Sequence, residues 1–67
     1  MKYIIQSKSD GDTKWVYRAE ATDQIKAIIT IIDSKKVDLR LEVRDNSYRI
    51  VNSKEKILYM LPEDFHP

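Results

Sequence analysis

Between Val37 and Arg44 apolar and charged residues alternate without a break, with Val37, Leu39, Leu41 and Val43 set against Asp38, Arg40, Glu42 and Arg44. Strict period-two alternation predicts a half-buried strand, dry on one side and wet on the other. A two-residue turn at Asp45-Asn46, both tolerant of positive φ, returns the chain in a hairpin that ends near Ser53. In that register Val43 meets Tyr48 and Leu41 meets Ile50 inside, with Tyr48 beneath the helix. Glu42 faces Arg49 outside. A turn at Asn46-Ser47 opposes Arg44 to Arg49 instead, so charge selects the first register.

The remaining elements follow from similar patterns. Lys2 to Ser7 and Lys14 to Ala19 read as two strands joined by an Asp10-Gly11 turn, since Gly11 supplies the positive φ of a tight hairpin. Consecutive Tyr3-Ile4-Ile5 and Trp15-Val16-Tyr17 place apolar groups on both faces of that hairpin. Thr22 to about Ser34 reads as a helix with Thr22 as N-cap and Asp23 in the first turn. Ile25, Ile28, Ile29 and Ile32 form its apolar stripe, with Lys26, Thr30 and Asp33 on the other side. Its β-branched residues favour strands, so a strand from Ile25 to Ile32 in an all-β fold is the competing reading. Ile57 to Leu61 is a continuous apolar run ending at Pro62, most easily a further strand, with a short helix as the other possibility. Phe65 offers an apolar anchor that can fold back onto the body.

The expected fold is therefore α+β: a small antiparallel sheet of four to five strands with one helix on one face, in the order β-β-α-β-β-(β), as a single domain over residues 1–67. One helix covers only one side of such a sheet. Apolar residues on the other side must meet solvent, the tail or a partner.

Composition sharpens that point. A chain of 67 residues buries a modest core, and such chains are usually reinforced by disulfides, a metal or a partner subunit. There is no cysteine and only one histidine, so disulfides are excluded and no zinc-ligand cluster can be written. Good packing, self-association or both remain, which makes self-association the first partner expectation. No apolar run is long enough for a signal peptide or a membrane span, so the expected compartment is the cytoplasm. Twelve basic against eleven acidic residues leave a formal charge of +1, well short of the basic excess of a dedicated nucleic-acid binder. A local surplus of three survives between Lys35 and Lys54.

Candidate chemistry is sparse. No serine is set near a base, His66 is next to last, and Asp10 and Asp12 flank a turn without the pattern of a calcium loop. One glycine cannot make a phosphate-binding loop. The sequence reads as no enzyme, with no cofactor, metal, membrane or small-molecule partner. The first expectation is a protein-interaction domain, acting as a homodimer or on another protein, through Trp15, Tyr17, Tyr59 and Phe65. Its size suits a small accessory protein of a bacterium or bacteriophage. The alternative is a nucleic-acid-binding module using Lys35, Lys36, Arg40, Arg44, Arg49 and Lys54.

Overall fold

Each chain reversal has an identifiable local cause, and together they set the architecture of the computed structural model, which describes residues 1–62, 64 and 65. The elements are β1 (Tyr3–Ser9), β2 (Val16–Ala21), α1 (Gln24–Arg40), β3 (Asn46–Val51) and β4 (Ile57–Leu61). After β1, the Asp12 amide donates to the Ser9 carbonyl at 3.0 Å with Gly11 at φ 90°, the geometry of a type II turn. Asp23 caps α1, its carboxylate accepting from the amides of Ile25 at 2.7 Å and Lys26 at 3.3 Å. The cap is therefore Asp23, one residue after the expected Thr22.

The strands form one sheet in the order β2-β1-β3-β4, antiparallel at every pairing. This is the expected α+β arrangement, with four strands. Because β1 runs antiparallel to both β2 and β3, those two are parallel to each other with β1 between them. The β2–β3 connection must recross the sheet, a task that needs a long crossover and that α1 performs. Seventeen helical residues span about 25 Å, enough to run the length of the strands at roughly 17–23 Å.

That crossover overturns the reading of residues 37–44. Residues 37–40 are the last turn of α1, and residues 41–45 are its exit loop, so there is no strand and no turn at Asp45-Asn46. The pairs Val43–Tyr48, Leu41–Ile50 and Glu42–Arg49 do not form; β3 pairs with β1 and β4 instead. The helix ends in a Schellman arrangement. The Val43 amide reaches the Asp38 carbonyl at 2.8 Å and the Glu42 amide reaches the Leu39 carbonyl at 3.1 Å. Glu42 occupies the left-handed position at φ 63°, where glycine is the usual stop signal. A glutamate there hides the helix end from a reading of the sequence.

The core lies between α1 and one face of the sheet: Ala27 and Ile31 from the helix against Ile5, Tyr48, Ile50 and Leu61, with Phe65 packed against its margin. The buried helical line is Ala27, Ile31, Lys35, not the expected Ile25, Ile28, Ile29, Ile32. Ile25 and Ile29 are exposed, while Ile28 sits at the core edge. The physical reason is a buried lysine. Lys35 is 0% exposed, and its ammonium donates to the Asn46 carbonyl at 2.8 Å, which rotates the helix away from its all-isoleucine stripe. No helix among the described residues is long and apolar enough to cross a membrane.

Both left-handed glutamates provide a test. Glu55, at φ 62°, lies in the five-residue β3–β4 loop, which opens on Asn52, whose carboxamide oxygen accepts from the Lys54 and Lys56 amides. Relief of left-handed strain is worth about 1–2 kcal/mol, and added unfolded-state freedom offsets about 0.4–1 kcal/mol of it. Glu42→Gly and Glu55→Gly are thus each expected to raise the thermal midpoint in melts followed by circular dichroism. An unchanged or lower midpoint would contradict the helix end and loop described above.

Candidate functional site

Period-two alternation divides the strands into a face under α1 and an open face. Ile5, Tyr48 and Ile50 point toward the helix, so Ile4, Gln6 and Lys8 of β1 and Arg49 and Val51 of β3 lie on the other side. The pairings align these residues in rows across the sheet. Across the β-bulges in the β1–β2 pairing (at Ile5/Gln6) and the β3–β4 pairing (at Ile50/Val51), Tyr17, Gln6, Arg49 and Met60 form one row, and Glu20, Ile4, Val51 and Ile57 form the next. Tyr17 is 56% exposed, Met60 48% and Ile57 47%, while Val51 is buried outside the main core. Among the described residues no helix lies over this face.

Trp15, just before β2, organises the middle of that face. The Arg49 guanidinium stacks 4.3 Å from its ring centre, and the Lys8 ammonium lies 5.2 Å away. The Arg49 Nε donates to the Gln6 Oε1 at 2.7 Å, which fixes the plane of the guanidinium. Nearby, Glu20 takes an exposed ion pair from Lys2 at 3.6 Å. The Tyr17 phenol is held above its ordinary pKa, by desolvation first and then by the Glu20 carboxylate.

A second polar constellation lies under the end of α1. The Asp38 carboxylate accepts from the Tyr48 hydroxyl at 2.5 Å and from the Asn46 Nδ2 at 3.0 Å. The Ser9 hydroxyl donates to the Asn46 Oδ1 at 2.8 Å, and the Arg18 Nε donates to the buried Ser7 hydroxyl oxygen at 2.6 Å. Arg18, Ser34, Val37, Asp38, Asn46 and Tyr48 line a cavity of about 330 Å³ there. Among the described residues every buried side-chain polar atom has a partner, so this network reads as a clasp. Burial pushes the Tyr48 phenol well above its ordinary value, and Asp38 reinforces the shift, while Arg18 and Asn46 oppose it.

The expected interface residues are distributed as follows. Trp15 and Tyr17 share the open face, whereas Tyr59 and Phe65 pack against the margin of the helix-side core, Tyr59 on the outermost strand β4. The six expected basic residues do not form one surface. Lys35 is buried and bonded to Asn46. Lys36 is exposed on α1, and Arg40 lies in its last turn. Arg44 shares a groove with Asp10, Glu42, Asp45 and Asp64, and Lys54 sits in the β3–β4 loop. Only Arg49 belongs to the open sheet face. Its companions Gln6 and Lys8 were missed, because their convergence needs the β1–β3 pairing, which no local pattern announces. His66 lies outside the described residues.

No family model, curated protein or solved structure matches this chain.

The Tyr48–Asp38 bond makes a pH prediction. A phenol whose folded pKa is raised stabilises the fold below its unfolded value of 10.0 and loses that contribution as pH rises beyond it. Tyr48→Phe is expected to cost about 1.5–3 kcal/mol at neutral pH, the worth of a hydrogen bond to a charged group. In denaturant titrations the gap between the variant and the parent should narrow above the ordinary tyrosine pKa; a gap that stays constant through that range would contradict the assignment.

Proposed function

We propose that this chain is a non-enzymatic protein-binding domain that pairs with a second copy of itself through the outer edge of β4. The observation that carries this reading is the contrast between the two edges of the sheet. The β2 edge bears Arg18 and Glu20, charges of the kind that discourage edge-to-edge pairing. The β4 edge is Ile57-Leu58-Tyr59-Met60-Leu61 and bears none.

A second copy suits that edge because it is self-complementary. In an antiparallel pairing about a two-fold axis at Tyr59, Leu58 faces Met60 and Ile57 faces Leu61, so apolar residues meet throughout and no like charges oppose one another. Backbone amides and carbonyls on the outer side of β4 find partners, and two four-stranded sheets become one of eight strands. A formal charge of +1 per copy sets up little repulsion. The small core gives the same arrangement a thermodynamic motive, since pairing buries half-exposed Ile57 and Met60.

Sedimentation equilibrium is expected to show a reversible dimer. Ile57→Lys and Met60→Lys, both at half-exposed positions, should each weaken it by about tenfold or more, equivalent to about 1.4 kcal/mol, with the circular dichroism spectrum retained. A strict monomer at the highest soluble concentration, or a dimer indifferent to both lysines, would overturn the reading.

A further inference from the structure

We infer that the open face of the sheet is a binding site for single-stranded nucleic acid, with phosphates held by Lys8 and Arg49 and a base stacked on Tyr17. This goes beyond self-association and does not depend on it, because none of the three residues belongs to β4.

Preorganised charge is the first argument. Arg49 is stacked on Trp15 at 4.3 Å and anchored through Nε to Gln6 at 2.7 Å, so its outer Nη edge is presented in a fixed plane. A planar fork held in this way suits bidentate recognition of phosphate oxygens. Lys8 converges on the same ring at 5.2 Å and adds a second cation. Neither has a carboxylate partner among the described residues, since Glu20 on this face is already paired with Lys2. Two unneutralised cations beside one indole constitute an anion site.

The ring beside them identifies the kind of anion. Tyr17 and Arg49 flank Gln6 in one transverse row, two strand spacings apart, or about 10 Å. A nucleotide can bridge that distance with its phosphate on the guanidinium and its base on the phenol. Trp15 is committed to the two cations, so it serves as a buttress, and half-exposed Tyr17, whose hydroxyl lies beside Glu20, presents its ring for stacking. A flat, uncovered sheet admits an extended strand whose bases are splayed, the mode of several single-strand binders. An acidic protein segment would use the cations but would gain nothing specific from the tyrosine ring.

The test is fluorescence anisotropy of a labelled oligothymidylate, with the emission of Trp15, the chain's one tryptophan, as an internal reporter. Two phosphate contacts predict that log K falls with log salt at a slope of about −1.4, and Lys8→Gln or Arg49→Gln should each remove about 0.7 of it. Tyr17→Ala is expected to weaken binding about tenfold at constant slope, with Tyr17→Phe close to the parent. Lys36→Gln, on the opposite side of the molecule, should bind as the parent does. Circular dichroism checks the fold of each variant; if Arg49→Gln unfolds, Lys8→Gln and Tyr17→Ala decide the matter. Absence of binding at low salt, or binding indifferent to Lys8 and Tyr17, overturns the inference. So does equal displacement by polyglutamate with a silent Tyr17→Ala, which would make the face a site for acidic protein.

Discussion

The last turns of α1 are tied to the start of β3 by a small set of charged hydrogen bonds, and the rest of the structure depends on that attachment. Lys35 reaches the Asn46 carbonyl from complete burial, and Asp38 takes both the Tyr48 hydroxyl and the Asn46 amide. Buried charged groups are tolerated only when their hydrogen bonds are met, so these contacts permit very little freedom in how the helix lies. They set its rotation and carry its helical conformation through residues 35–40. They also deliver the chain to β3 beside β1, which makes α1 a crossover rather than one arm of a hairpin.

Once the helix is committed to one face, the other face and one edge are left for function. The edges differ in charge, and the open face holds an indole gripped by two cations. These features are geometrically separate. β4 offers backbone groups in the plane of the sheet, whereas Lys8, Arg49 and Tyr17 project out of that plane. Two copies joined at β4 would therefore set their open faces side by side, doubling the cationic and aromatic surface without obstructing it.

Much of the fold was legible in the residues. The first hairpin was marked by Gly11, β4 by an apolar run ended by Pro62, and the helix by isoleucine periodicity, although the line it buries is Ala27, Ile31 and Lys35 and not the isoleucine stripe. The inward direction of Tyr48 and Ile50 was also readable, because alternation along β3 does not depend on which strand lies beside it. Of the candidate site, Trp15, Tyr17, Tyr59 and Arg49 were recognisable as residue types suited to interfaces, but not as members of particular surfaces.

What local sequence determined, then, was the class of fold, the number of helices and most strand positions, since periodicity and turn chemistry act over a few neighbouring residues. What only the tertiary structure decided was the state of residues 37–44 and the partners of every strand. The alternation of Val37, Leu39, Leu41 and Val43 satisfies a strand locally. It yields to a helix because Lys35 and Asp38 find their partners eight to eleven residues away on β3. The meeting of Lys8, Trp15 and Arg49 has the same origin: β1 and β3 are separated by a whole helix in the chain and lie side by side only in space.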